Sequence, residues 1–242
     1  MRPTGAAKKE QDRRTLKIRA IPTDESLQFW LDRLEGLDQW VFALIATYGL
    51  RPSEAWHAEK IDADGWLTIP GEGLTKTDRH FAPPVPAEWL DRYQLRENFK
   101  SYQVELRQRW PLKWEERGGL RIPTNNSEVS NALYNKLRDE AIDRLWVDDE
   151  WVRPYDLRHS YAIRCETSTD PDLLSTPAQD FAKWMGHTEE VHKRTYLKFM
   201  SRDRELESMK FRVGSAEAPA GLSEEVLAKL AKLEQLEKLM AS

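Results

Sequence analysis

The chain has 242 residues, of which 40% are hydrophobic and 32% charged, and its formal net charge is −4. This length can bury one large core, with or without appendages, and the composition is that of an ordinary globular protein. No apolar run approaches the ~18 residues of a membrane span, and the opening residues do not resemble a signal peptide. The single cysteine, Cys165, excludes an internal disulfide and a cysteine zinc cluster. We therefore expect a cytoplasmic protein without membrane contact.

Charge is unevenly placed along the chain. Residues 1–20 hold seven Lys or Arg against two acids, and residues 193–212 hold seven against three. A net charge of −4 is unusual for a DNA-binding domain, whereas two basic runs are harder to explain as ordinary solvated surface. We predict that residues 1–20 form a basic flexible arm or linker.

The first folded segment is predicted to contain two helices. Thr23 or Asp24 can cap the first helix, whose apolar residues recur with helical spacing. A break is expected at residues 36–38. The second helix then runs from Trp40 to Tyr48, and Gly49 ends it.

Residues 61–86 have a different pattern, with short β-prone pieces, glycine turns and clustered prolines. This pattern predicts a small twisted antiparallel sheet with a hairpin around Gly71 to Asp78. Helices are predicted for the segments that follow, with a break at the paired glycines 118 and 119: residues 87–114, 131–146, 155–166 and 176–185.

The last part of the sequence, residues 214–242, is predicted to be a linker followed by an amphipathic helix. Ser223 can cap this helix, and leucines recur along one face from Leu227 to Leu239. Such a stripe needs a groove. It can fold back on its own domain or dock on a neighbouring subunit, and we favour the neighbouring subunit.

Four short boxes carry the residues with chemical potential. Each has an ordinary explanation when taken alone: a surface ion pair, a solvated turn lysine, a helix residue, and a histidine at a helix start. The boxes are GLRPSE with Arg51 and Glu54, TKTDRH with Lys76 and Arg79, YDLRHS with Tyr155 and Arg158, and MGH with His187, followed nine residues later by Tyr196.

In this order and spacing, the boxes resemble the signature of the tyrosine site-specific recombinases, the phage integrase family. That family has a G-L-R-x-S-E box, a hairpin lysine, an H-x-x-R box, and L-G-H followed by a tyrosine. The resemblance covers about residues 20–212. It implies a mainly helical α+β fold, the tyrosine-recombinase catalytic domain with a small three-stranded antiparallel sheet, over residues 21–213.

The resemblance also implies a reaction. Tyr196 attacks a DNA phosphate and forms a 3′-phosphotyrosine, while Arg51, Arg158 and His187 stabilise the phosphoryl oxygens and Lys76 protonates the leaving 5′-oxygen. The phosphate stays esterified throughout, so rejoining needs no ATP. No carboxylate cluster is spaced for a two-metal site, and we expect neither a metal nor another cofactor.

Two departures from the family pattern stand out. Tyr155 occupies the position usually held by histidine, and with a pKa near ~10 a tyrosine is a poor base at neutral pH. The 29 residues from Arg158 to His187 form a longer gap than expected, so PDLLSTPAQ is a candidate insertion. Glu54 is expected to support the arginines. Five cations are candidate DNA contacts: Arg79, Lys193, Arg194, Arg13 and Arg14.

The resemblance implies double-stranded DNA with a specific recombination site as partner, and a tetramer assembled through residues 216–242. Relatives generally have an N-terminal DNA-clamping domain that about 20 residues cannot form, so we expect either an excised catalytic domain or a minimal recombinase. The boxes are associated with phages and other mobile elements in bacterial cells. Two alternatives remain: a type IB topoisomerase-like relaxing enzyme, and a catalytically silent DNA-binding relative, which Tyr155 and the acidic balance favour.

Overall fold

The computed structural model describes residues 21–71, 73–140, 146–147, 150–168 and 170–195, which all belong to one compact unit of the chain. The predicted arm at residues 1–20, Tyr196, and the predicted helix within residues 214–242 lie outside the described residues.

The described part of the chain is mainly helical. Its helices are α1 (Asp24–Leu31), α2 (Gly36–Tyr48), α3 (Glu54–His57), α4 (Trp89–Arg92), α5 (Phe99–Arg109), α6 (Asn126–Glu140), α7 (Pro154–Thr167), α8 (Pro171–Leu174), α9 (Ala178–Trp184) and α10 (Glu189–Thr195). Its strands are β1 (Lys60–Ile61), β2 (Leu67–Ile69), β3 (His80–Ala82), β4 (Trp114–Arg117), β5 (Leu120–Pro123), β6 (Trp146–Val147) and β7 (Glu150–Trp151). The mainly helical α+β prediction is confirmed.

The predicted three-stranded antiparallel sheet is present, with strand order β1-β2-β3. Thr68 on β2 pairs with Lys60 on one side and with Phe81 on the other. The connection from β2 to β3 spans residues 70–79 and carries Lys76, as the predicted hairpin requires. Two further antiparallel hairpins, β4–β5 and β6–β7, were not predicted.

Helix α2 is the centre of the core and packs against α7. Its side chains from Trp40 to Tyr48 are all buried, which leaves no solvated face and accounts for its continuous apolar sequence. The predicted break at residues 36–38 is wrong, since α2 begins at Gly36. Leu37 is buried within the helix, and the carboxylate of Asp38 lies in the first turn, where the helix dipole favours negative charge.

Two other predicted helices have different bounds. The helix expected at residues 87–114 is interrupted after α4, where Gln94 has a left-handed backbone with φ 48°, and it ends at Arg109. Trp114 instead begins β4, because Gly118 and Gly119 both adopt positive φ and close a tight hairpin. The helix expected at residues 131–146 is α6, which runs from Asn126 to Glu140.

Gly49 ends α2 in the left-handed conformation, with φ 63°, as predicted. A Cβ atom at this position would lie 2.4 Å from Cδ1 of Tyr161 on α7. The carbonyl oxygen of Gly49 accepts a hydrogen bond of 2.6 Å from Arg158, which lies on α7 as well. The absent side chain therefore lets α2 end directly against the helix that carries a predicted site arginine.

We predict that Gly49→Ala lowers the free energy of unfolding by about 2–5 kcal/mol, because it combines a strained φ with overlap against a buried ring. Gly118→Ala is the matched control: φ is 59°, but nothing lies within 4 Å of the added Cβ. Its cost should be only the backbone strain, about 1–2 kcal/mol. Urea denaturation of both variants measures the difference, and equal losses would contradict the close approach at Gly49.

Candidate active site

Three segments that are distant in sequence meet beside the end of α2. Arg51 lies between α2 and α3, and Glu54 begins α3. Arg158 lies on α7, and His187 lies in the turn between α9 and α10. Direct hydrogen bonds and ion pairs connect these four residues. The structure thus brings together residues of three of the four boxes.

Glu54 joins the two arginines. Its Oε1 accepts a hydrogen bond from Nη1 of Arg51 at 2.6 Å, and its Oε2 accepts one from the backbone N–H of Arg51 at 2.7 Å. Nη1 of Arg158 lies 3.5 Å from Oε2. The Glu54 side chain is only 1% exposed, so its charge depends on these partners. One carboxylate facing two guanidinium groups leaves an excess positive charge.

Arg158 is completely buried, with a side chain 0% exposed. Its Nη1 donates to the Gly49 carbonyl, and its Nη2 donates to the Met185 carbonyl and faces Nδ1 of His187 at 3.3 Å. Arg51 is 17% exposed. Arg51 therefore has the more accessible guanidinium, whereas Arg158 is a fixed positive charge buried beneath the surface of the site.

His187 is held as a neutral imidazole. Burial, and then the nearby Arg158 cation, lower the pKa of His187 to about 3. At neutral pH its ring therefore carries a single hydrogen and is a hydrogen-bond donor on one nitrogen only. The group predicted as a third donor thus contributes a dipole and not a positive charge.

The lysine hairpin packs on the turn that carries His187. A Cβ on Gly186, which has φ +62°, would lie 2.7 Å from Cε1 of His80 and 2.9 Å from Oγ1 of Thr77. Only glycine allows this approach. The hydroxyl of Thr75 donates to the carbonyls of Pro70 and Thr77, which closes the loop. Lys76 is exposed on this loop, next to a segment in contact with the histidine turn.

The structure adds a pair of residues that the sequence analysis missed. Nε2 of His187 lies 3.0 Å from Nδ1 of His192 on α10, and Nε2 of His192 lies 3.2 Å from Oε1 of Glu166 on α7. His192 is 0% exposed. Glu166 and His192 are 26 residues apart and match no box, so no sequence signal connects them with His187.

The other predicted site residues have the following surroundings. Tyr155, near the start of α7, is 39% exposed and meets the ring of His159 edge-on. Arg79 pairs with Glu59 at 2.6 Å, Lys193 with Glu189 at 2.5 Å, and Arg194 with Glu190 at 4.0 Å. The candidate insertion contains the short helix α8. Tyr196, Arg13 and Arg14 lie outside the described residues.

Two buried tyrosines are unsuitable as nucleophiles. The hydroxyl of Tyr48 donates to the Gly65 carbonyl, and that of Tyr161 donates to the Pro83 carbonyl. Burial raises the pKa of both phenols above the ordinary value. Neither can easily become the phenolate that attack on phosphorus requires.

The described residues offer neither a metal site nor a membrane span. They contain no group of three or more His, Cys, Asp or Glu side chains arranged to hold a metal ion. Among the same residues, no helix is both long and apolar enough to cross a bilayer.

Comparison with known proteins gives two sequence relatives, both from Nostoc sp. strain PCC 7120. Excisase A is 28% identical over 190 residues, which is 74% of this chain and 33% of the relative. Excisase C is 28% identical over 170 residues, which is 66% of this chain and 29% of the relative. The chain thus spans about a third of the length of these relatives. No family model matches.

Among solved structures, XerA recombinase is similar with a TM-score of 0.48 and 14% identity, covering 84% of this chain and 68% of that one. This score is too low to establish a shared fold by itself. The class rests on the convergence of Arg51, Glu54, Arg158 and His187, on the hairpin lysine, and on the sequence relatives. Together they support a tyrosine-recombinase-like domain.

We predict that Glu54→Gln lowers the free energy of unfolding by about 3 kcal/mol, because it leaves two buried or half-buried guanidinium groups without their anion. Glu59→Gln is the matched control. It removes the partner of Arg79 in an exposed pair and should cost about 0–1 kcal/mol. Chemical denaturation measures both, and a similar small loss in the two variants would show that Glu54 does not hold the arginines together.

Proposed function

We propose that this domain breaks and rejoins DNA at a specific site through a 3′-phosphotyrosine on Tyr196. The observation that carries the proposal is the cluster in which Glu54 holds Arg51 against Arg158, with His187 beside them. The sequence relatives named excisases support recombination as the overall reaction. Their greater length means that other segments can contribute to their activity.

The charge of the cluster fits phosphoryl transfer. The phosphorane transition state gains negative charge on its equatorial oxygens, and preorganised cations stabilise it. Arg51 and Arg158 supply two positive charges, Glu54 supplies one negative charge, and His187 supplies a neutral hydrogen-bond donor. A fixed excess of positive charge in a buried setting acts more strongly than the same charge in water.

Arg51 and Arg158 have different roles in this scheme. Arg51 has an accessible edge and binds a phosphoryl oxygen directly. Arg158 is enclosed by protein acceptors, so a direct bond requires a phosphoryl oxygen to replace one of them. We propose that the phosphoryl oxygen replaces the Met185 carbonyl as the acceptor, because this carbonyl lies next to His187, which binds the same phosphate in this scheme.

The chemical step conserves the phosphate ester. The Tyr196 oxygen forms a bond to phosphorus as the bond from phosphorus to the 5′-oxygen breaks. The phenol loses its proton to solvent, and the ammonium group of Lys76 gives a proton to the departing 5′-oxygen. Tyr155, exposed at the start of α7, can donate a hydrogen bond to a phosphoryl oxygen. Reversal by another strand's 5′-hydroxyl completes the exchange.

DNA backbone contacts extend from this centre in the proposal. Arg79, Lys193 and Arg194 are exposed and pair with carboxylates in the protein alone. Exposed pairs are weak, so phosphate oxygens can replace the carboxylates at little cost. Arg13 and Arg14 are the corresponding candidates in the basic arm.

We predict that Tyr196→Phe abolishes covalent attachment of DNA, because phenylalanine has no attacking oxygen. The probe is a pool of random-sequence duplexes with nicks, which trap the cleaved state by releasing a short strand. Adducts are recovered after denaturation, and the linked strand is sequenced. Tyr155→Phe is the matched control: it should lower the rate and retain the adduct.

Three results would contradict the proposed function. An undiminished adduct in Tyr196→Phe would assign the nucleophile elsewhere, and loss in Tyr155→Phe alone would assign it to Tyr155. Absence of any adduct with the wild-type protein would favour the catalytically silent alternative.

We further propose that residues 216–242 dock on a neighbouring subunit in a tetramer, on the strength of their leucine stripe. Deleting them should abolish recombination between two sites and leave single-site cleavage detectable. Gel analysis of both products with the selected DNA measures this. Full recombination by the truncated protein would refute the docking.

A further inference from the structure

A buried chain of hydrogen-bonding groups links Glu166, His192, His187 and Arg158. The successive distances are 3.2, 3.0 and 3.3 Å. The rings of His187 and His192 also stack, with centroids 5.2 Å apart and an angle of 16° between planes. His192 and Glu166 have no role in the proposed phosphoryl transfer, and both are buried.

The donors and acceptors of this chain follow from its two ends. A guanidinium is a hydrogen-bond donor only, so the Nδ1 atom of His187 that faces Arg158 must be an acceptor and present its lone pair. The single hydrogen of His187 then lies on Nε2 and is donated to Nδ1 of His192. The hydrogen of His192 lies on its Nε2 and is donated to the Glu166 carboxylate. These three contacts are then satisfied with one hydrogen on each ring, and the Met185 carbonyl, 3.2 Å from Nδ1 of His187, accepts its hydrogen bond from Arg158 instead.

We propose that His192 and Glu166 are positioning residues that keep the His187 hydrogen on Nε2 until a DNA phosphate takes it over from His192. This inference rests on the proposed function, since only the Nε2–H form can donate to a phosphoryl oxygen while Nδ1 still faces Arg158. The pair orients the ring, and its tautomer is set before substrate arrives.

Protonation of His192 would reverse the arrangement. An imidazolium carries hydrogens on both nitrogens, so its Nδ1–H would face His187 and require a lone pair on Nε2 there. Because its pKa is lowered to about 3, His187 stays neutral, and its hydrogen would move to Nδ1, beside the Met185 carbonyl. A phosphate could then receive no hydrogen bond from His187.

Charged groups from both packed helices surround His192. The Glu166 carboxylate on α7 lies 3.2 Å from its ring, and Arg158, also on α7, lies beyond His187. On α10 itself, Lys193 interacts electrostatically with Glu166 and with Glu189, and Arg194 pairs with Glu190. Of these groups, Glu166 is the one in direct contact with the His192 ring.

The same pair also ties α10 to α7, which is a purely structural role. Tyr196 follows α10 directly in the sequence. A structural tie would affect stability and overall rate equally at all pH values. A positioning role instead makes the rate depend on which nitrogen of His187 carries hydrogen, and this difference is measurable.

The first test uses the protein without DNA. The ¹⁵N shifts of the imidazole nitrogens report the tautomer of each ring, and His187→Asn and His192→Asn assign the signals. We expect hydrogen on Nε2 of His187 at neutral pH and its transfer to Nδ1 as His192 gains a proton. Hydrogen on Nδ1 of His187 at neutral pH would overturn the inference, whether or not the protein cleaves DNA.

The second test is the pH dependence of covalent adduct formation on the nicked duplex pool. The rate of adduct formation by the wild-type protein should fall at low pH, and this fall is the acid limb of its pH profile. In His192→Asn, the amide oxygen still accepts the hydrogen bond from His187, and the amide group does not titrate. This acid limb should therefore disappear, while the rate at neutral pH is retained. Glu166→Gln removes the negative charge that the His192 ring contacts and should shift the acid limb.

Glu189→Gln is the control for Glu166→Gln, because it removes an exposed acid on α10 that pairs with Lys193. Its acid limb should coincide with that of the wild-type protein. An unchanged acid limb in both His192→Asn and Glu166→Gln, with thermal melts showing that both are folded, would overturn the positioning role. Failure of the proposed function would give a different result. The wild-type protein would then form no adduct, whereas the ¹⁵N measurement, which uses no DNA, would still report the tautomer of His187.

Discussion

The site depends on the burial of the Glu54 carboxylate between two guanidinium groups. An isolated buried charge is costly, and here the cost is offset by Arg51 on one side and Arg158 on the other. This arrangement fixes the start of α3 against α7, and the left-handed Gly49 lets the end of α2 approach α7. Without Glu54, the two cations would repel each other at the position where a phosphate is proposed to bind.

Around this ion cluster, neutral groups are arranged by the direction of their hydrogens. Arg158 faces the lone pair of His187, and Glu166 is the acceptor at the far end of the chain through His192. The hairpin with Lys76 meets the same turn through Gly186. Fold and site are therefore connected: the contacts of Glu54 and Arg158 hold α2, α3 and α7 together and also orient the guanidinium groups of the site.

Much of this was predictable from the sequence. The resemblance of the boxes to the recombinase signature singled out Arg51, Glu54, Arg158, His187 and the hairpin lysine, because each box is a short local pattern, and the structure places the first four in contact. The cap at Thr23 and the helix end at Gly49 were correct for the same local reason. The β4–β5 hairpin was missed because its Gly118–Gly119 turn was interpreted only as a break, although two glycines are a local hairpin signal. The His192–Glu166 pair was missed because a contact across 26 residues depends on tertiary packing that no local pattern encodes.

The most direct measurement is peptide mass spectrometry of the trapped protein–DNA adduct after nuclease and protease digestion. The account predicts that the remaining 3′-phosphonucleotide is attached to the peptide containing Tyr196, at its phenol oxygen. Attachment to Tyr155, or to any residue other than Tyr196, would contradict it.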